Sequence, residues 1–156
     1  MKIEMLTKDS YRIFVNKLYI KDVNLDEKEA IILAVKDIIQ KLKQKLQLRG
    51  FYKVKVFPNK NIGLFIEIIQ LEDLEFSNNL DLRVIVYFDE KFYFETEDYF
   101  TIQKYDNVMF LDDKFYCLID DSFDDMFEIV EFGRLIYGKE VINLLNKGTV
   151  LWYNMR

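Results

Sequence analysis

Apolar and polar positions alternate with a period of two near the start of the chain. KIEML (2–6) and YRIFVNKLYI (11–20) read as strands around the turn TKDS, with Tyr11, Ile13 and Val15 on one face and Arg12, Phe14 and Asn16 on the other. The period then changes. In NLDEKEAIILAVKDIIQKLKQKLQLRG, Ile31, Val35, Ile38, Leu42 and Leu46 form one helical stripe, thickened by Ile32 and Ile39. Lys36, Gln40, Lys43 and Gln47 face away from it. Asn24 or Asp26 suits the N-cap, with Glu27 or Glu29 as its reciprocal partner. Acids in the first turn and Lys41, Lys43, Lys45 and Arg49 near the end suit the helix dipole. Gly50 is placed to end the helix in a left-handed conformation.

FYKVKVFP (51–58) and IGLFIEIIQL (62–71) predict a hairpin across PNKN. DLRVIVYF (81–88) and FYFETE (92–97) flank DEK, FTIQ (100–103) reads as a further strand, and VMFL (108–111) and FYCLI (115–119) flank DDK. SFDDMFEIVEFG (122–133) predicts a short helix ending at Gly133. RLIYGKEVINLLNKG predicts a second helical piece closed by Gly148, and TVLWYNMR a last edge strand or ordered packing. The expected fold is α+β: an antiparallel β meander, one long helix (about 25–48) packed on one face, and short C-terminal helices. A chain of 156 residues suits a single domain, 1–156, with possible sub-units 1–72 (ββαββ) and 80–156.

One segment occurs twice. FDEKFYFETEDYF (88–100) and LDDKFYCLIDDSF (111–123) share Asp89/Asp112, Lys91/Lys114, Phe92/Phe115, Tyr93/Tyr116, Asp98/Asp121 and Phe100/Phe123. Short acidic tripeptides suit tight turns, and Phe and Tyr after them suit a half-buried sheet. The repeat therefore reads as one hairpin design used twice.

Composition narrows the chemistry. The chain has no histidine, which removes the commonest general base and metal ligand and any Ser-His or Cys-His pair. Cys117 is the only cysteine, so it forms no internal disulfide, and its place in FYCLI predicts a small core residue. Neither a signal-peptide core nor a run of about 20 apolar residues is evident, and the expected location is the cytoplasm with no membrane partner. No phosphate-loop pattern occurs. The expectation is a protein that is not an enzyme, with no catalytic residues and no cofactor.

Net charge is −5, unevenly divided. Residues 1–66 hold 14 basic and 7 acidic residues, residues 67–132 hold 4 and 19, and residues 133–156 hold 4 and 1. The acidic clusters Asp89/Glu90, Glu95/Glu97/Asp98, Asp112/Asp113, Asp120/Asp121 and Asp124/Asp125 offer oxygen ligands for Mg²⁺ or Ca²⁺. DDSFDD lacks the Gly and Glu of a calcium loop, so a solvated acidic rim is the simpler reading and no metal site is assigned. A basic belt of Lys36, Lys41, Lys43, Lys45, Arg49, Lys53, Lys55 and Lys60 is interleaved with Phe51, Tyr52 and Phe57, as on single-strand nucleic-acid surfaces. The overall acidity argues against nucleic acid as the partner.

The order MKIEML, YRIFV, the connector from Asp22 to Glu29, a helix, then YKVKV and GLFIEI resembles the N-terminal domain of MecA-type adaptor proteins. IVEFG (129–133) and YGKEV (137–141) are similar to pieces of that family's C-terminal domain. The resemblance implies a non-enzymatic adaptor that brings substrates to a Clp-type protease. From the residues themselves, the expected function is protein–protein interaction by an adaptor or regulator. The acidic aromatic hairpins are its contact surface: Tyr93, Phe94, Tyr99, Tyr116 and Phe123 as anchors, Asp112 and Asp121 steering a basic partner. Two alternatives follow from the same acids: a decoy that inhibits a nucleic-acid-binding protein, and a Mg²⁺- or Ca²⁺-dependent enzyme.

Overall fold

The computed structural model describes residues 1–60, 62–73, 79–88, 91–105, 107–119 and 133–153. The fold is α+β, with two mostly antiparallel sheets and one long helix. The chain divides into two compact units, Met1–Phe88 and Asp89–Arg156.

The first unit is one sheet with a helix on one face. Strands β1 (Lys2–Thr7) and β2 (Ser10–Asn16) precede helix α1 (Lys28–Leu46), and β3 (Gly50–Asn59), β4 (Gly63–Glu72) and β5 (Leu80–Val86) follow it. The strand order is β1-β2-β4-β3-β5. Alternation decides the faces. Ile13 and Val15, Val54 and Val56, and Leu64, Ile66 and Ile68 pack with Ile31, Val35, Ile38, Ile39 and Leu42 of α1 into a core closed to solvent. Burying those five helix side chains contributes on the order of 10 kcal/mol gross, which exceeds anything the helix gains from propensity. The other face carries Phe14 stacked on Phe65 at 4.7 Å and Phe57 on Tyr87 at 5.2 Å. Beside these rings, Arg12, Glu67 and Lys55 lie opposite one another across β2, β4 and β3.

Three local expectations are corrected here. Helix α1 starts after Glu27, which makes no side-chain cap bond. Asn24 instead accepts from the Asp26 amide at 3.0 Å, a local Asx turn that holds its oxygen away from the helix end. The left-handed residue at the far end is Gln47 (φ 53°), with the Leu48 amide donating to the Lys43 carbonyl at 2.9 Å. Gly50 (φ 90°) opens β3 instead. Finally, β5 pairs in parallel with β3, from Gly50↔Leu80 to Val56↔Val86, so it forms no hairpin with the strand after it.

The second unit contains β6 (Phe92–Thr96), α2 (Tyr99–Ile102), β7 (Asn107–Leu111), β8 (Lys114–Ile119), β9 (Gly133–Ile136), α3 (Lys139–Lys147) and β10 (Thr149–Tyr153). Its strand order is β10-β7-β8-β6-β9, all antiparallel, with β10 at an edge. Helix α3 closes one face: Val141 and Leu144 pack on Tyr93, Tyr116 and Ile136. Gly148 ends α3, its amide donating to the Leu144 carbonyl at 2.7 Å, where the sequence places a stop. RLI is strand β9, not helix, because Leu135 and Ile136 pair with Phe94 and Tyr93 of β6. The helix expected over 122–133 lies outside the described residues up to 132, and Gly133 begins a strand.

The repeat has an architectural outcome different from the expected one. In the second copy Asp112 and Asp113 make a two-residue turn between β7 and β8, both with positive φ (50° and 63°), as a type I′ hairpin requires. In the first copy Asp89 and Glu90 lie outside the described residues, and the strands on either side belong to different sheets. The two repeat segments become neighbours: β6 and β8 pair with each other, Tyr93 opposite Leu118 and Glu95 opposite Tyr116.

Candidate protein-interaction surface

The candidate surface is an aromatic patch on the second unit, built where β6 ends. Asp98 caps the four-residue helix α2: its carboxylate accepts from the Phe100 amide at 3.0 Å and the Thr101 hydroxyl at 2.9 Å. The Asp98 amide in turn donates to the Thr96 hydroxyl at 3.0 Å. This clamp turns a segment that reads as a strand into one helical turn. Thr101 and Ile102 point into the core, while Tyr99 is 50% exposed and Phe100 78% exposed. Tyr99 is the centre of a ring cluster: Phe100 at 6.3 Å, Phe115 at 5.8 Å and Trp152 at 6.2 Å, all edge-on. Phe110 adds a contact with Phe115 at 5.4 Å. Trp152 donates its indole N–H to the Tyr105 carbonyl at 2.9 Å, which fixes the ring. The patch joins rigid aromatic anchors to a preset geometry, the composition of an interface hot spot.

On the opposite side of the same sheet lies a charged cleft of about 450 Å³, bordered by β8, β9 and α3. Alternation puts Glu95 on this side, next to Tyr93 and away from Phe94. Glu95 is 6% exposed. Its carboxylate accepts from Arg134 Nε at 2.7 Å and Nη2 at 3.3 Å, and from the Tyr116 hydroxyl at 2.8 Å. Lys114 Nζ stands 3.5 Å away, and Arg134 also reaches Glu140 at 2.8 Å. Burial alone would raise the Glu95 carboxyl, but the hydrogen bonds from Arg134 and Tyr116 and the two nearby cations outweigh it and hold it below the ordinary carboxylate range. Burial, and then the bond to Glu95, push the Tyr116 phenol far above its ordinary value. The Arg134 guanidinium is raised, first by its bond to Glu95. A carboxylate held by three donors is a weak proton acceptor, and a phenol so shifted is a weak acid. Around the cleft Glu95, Asp112 and Glu140 balance Lys114, Arg134 and Lys139. The arrangement is a closed network that pins β6, β8, β9 and α3 together.

The expected contact residues separate accordingly. Tyr99 is at the centre of the exposed patch. Asp112 is exposed at the hairpin turn and borders the cleft together with Tyr116. Tyr93 (7%), Phe94 (0%) and Tyr116 (6%) are buried, which corrects the expectation that they stand exposed on a rim. The cause is that all five residues of β6 are buried, so neither of its faces meets solvent. Asp121 and Phe123 lie outside the described residues, as does DDSFDD. Phe100, Phe110, Phe115 and Trp152 belong to the patch and were not singled out as contacts from sequence. The one signal for Phe100 was its place at the end of the repeat.

The basic belt does not form one surface. Lys36, Lys41 and Lys45 are exposed on α1, whereas Lys53 and Lys55 project from the sheet face that α1 does not cover. Of its aromatics, Tyr52 and Phe57 are buried. Among the described residues no group of three His, Cys, Asp or Glu is placed to hold a metal ion, and no helix is long and apolar enough to cross a membrane. Compared with known protein families, with curated proteins and with solved structures, the chain matches none.

Proposed function

We propose that the chain is a cytoplasmic protein-interaction module, an adaptor or regulator without catalysis of its own, that takes its protein partner on the aromatic patch of the second unit. The observation that carries this reading is the 78% exposure of Phe100 beside the Tyr99-centred ring cluster. A phenylalanine so exposed costs solubility, and a fixed aromatic platform lowers the entropy lost on docking. The partner that fits is an apolar segment with basic flanks, because Asp89–Arg156 holds 15 acidic and 7 basic residues. The resemblance of the first seventy or so residues to MecA-type adaptors supports a finer reading, delivery of substrates to a Clp-type protease.

The test is affinity capture with the intact chain and with a Tyr99→Ala/Phe100→Ala variant. Enrichment of a Clp-type unfoldase or of one of its substrates by the wild type, lost with the variant, is the expected result. The acidity of the second unit favours one other reading, an acidic decoy. Capture of a basic nucleic-acid-binding protein, with an affinity that falls steeply with salt, would select the decoy over the adaptor.

A further inference from the structure

We propose that β1 is a homodimerisation edge, on which a second copy of this chain adds its own β1 antiparallel about a two-fold axis at Ile3. Strand β1 ends the sheet of the first unit, so among the described residues one side of its backbone has no strand neighbour. It is open to solvent: Met5 is 66% exposed, Leu6 39%, and Lys2 and Glu4 are exposed. An open edge with apolar side chains is a template for strand pairing unless charge forbids it. Here the charge pattern selects the partner.

The pairing with β2 fixes the faces of β1. Ile3 and Met5 lie opposite Ile13 and Tyr11, on the side that α1 covers, and Lys2 and Glu4 lie opposite Phe14 and Arg12 on the other side. A two-fold axis perpendicular to the sheet keeps each face on its own side, so residues that meet must have equal parity. Centred on Ile3, the pairing sets Lys2 against Glu4 of the second copy, and Glu4 against its Lys2. On the helix side it sets Ile3 against Ile3 and Met1 against Met5. Both ion pairs are favourable and every apolar residue meets an apolar one. Centred on Glu4, the pairing would oppose two glutamates. Centred on Met5, it would run into the irregularity between Met5 and Thr7. The segment MKIEM is thus palindromic in polarity and self-complementary in charge about Ile3. Helix α1 comes closest to β5, at the other edge of the sheet. The helix-side strip of Met1, Ile3 and Met5 would therefore lie beside the same strip of the second copy, joining the two apolar faces edge to edge. The product is a continuous sheet made of two five-stranded ones, with both α1 helices on the same face.

Sedimentation equilibrium of the full chain over a wide concentration range tests the proposal. The wild type is expected to dimerise reversibly. Lys2→Glu places Glu against Glu twice, and Glu4→Lys places Lys against Lys twice, so each alone should weaken the dimer roughly tenfold or more. Mixing the two variants one to one restores complementary pairs at both positions and should yield a heterodimer of about wild-type strength. Both positions are exposed, and unchanged thermal unfolding of the separate variants verifies that they fold. A wild type that stays monomeric leaves the edge to a foreign strand and overturns the proposal. So does a dimer that neither substitution weakens, or variants that fail to recombine. The aromatic patch is untouched by these changes, so the two readings fail independently.

Discussion

Arg134 of β9 holds Glu95 of β6 by two nitrogens, Nε at 2.7 Å from Oε1 and Nη2 at 3.3 Å from Oε2. The two residues are directly opposite in the β6–β9 register, and Tyr116, opposite Glu95 on β8, completes the row. A buried charge is tolerated only when it is paired and its lone pairs are filled, and here the two neighbouring strands, β8 and β9, supply the donors. The row fixes register on both sides of β6, since a slip by one residue would send Glu95 into the apolar face.

Glu95→Gln keeps the shape and removes the charge. Arg134 is 41% exposed and regains water, so the cost should be about 1–2 kcal/mol rather than that of a wholly buried pair. Urea unfolding of the variant and the wild type measures it.

The same row gives a pH dependence. The folded Glu95 carboxyl lies below its ordinary value of 4.5. Its contribution is therefore fully present above that value and is lost as pH falls through the lower, folded value. Tyr116 acts at the other limb: its folded value is raised above 10.0, so its contribution is present below that pH and is lost as pH rises beyond it. Stability profiles of Glu95→Gln and Tyr116→Phe should flatten the acid limb and the alkaline limb, respectively.

The Asp112–Asp113 turn has two left-handed residues without glycine. Asp112→Asn with Asp113→Gly supplies the pair that this turn prefers and should stabilise the protein by about 1 kcal/mol. Asp113→Ala should cost a similar amount. Thermal unfolding reads both.

Gly63 has φ 138°, and a Cβ there would stand 2.0 Å from the Val15 carbonyl oxygen. That atom is backbone and cannot turn away. Gly63→Ala should destabilise by about 3 kcal/mol or more, through strain and separation of β2 from β4. A drop in the denaturant midpoint at constant slope checks it.

Cys117 is 4% exposed, with its thiol directed at the Leu118 carbonyl at 3.5 Å. It should react with a thiol reagent only on unfolding, at a rate that follows denaturant concentration.

How much of this was legible depended on range and on burial. The stripe Ile31, Val35, Ile38, Leu42 announced α1 because one covered face imposes its period on the sequence. The strands β1 to β4 and the β7–β8 turn were legible for the same local reason. The partner of β5 was not, because parallel pairing with β3 joins distant segments and leaves no mark at the junction. Burial of Tyr93 and Phe94 was hidden because β6 is covered on both faces, where alternation carries no information about solvent. Phe100 was read into a strand and Tyr99 into no element, since one turn of helix is shorter than any periodicity that could reveal it. Its signal was Asp98, three residues before Thr101, and that signal is a cap and not a pattern.

We propose that a protein partner docks on the Tyr99–Phe100 patch. The most direct measurement is site-specific photocrosslinking in lysate, with the photoreactive residue at Phe100 and, as control, at Leu33, an equally bare position on α1 that is 70% exposed. The account predicts one discrete adduct from position 100 that is absent from position 33 and is suppressed by excess wild-type chain, but not by excess Tyr99→Ala/Phe100→Ala chain. Equal adducts from both positions, or competition by both chains alike, would contradict it.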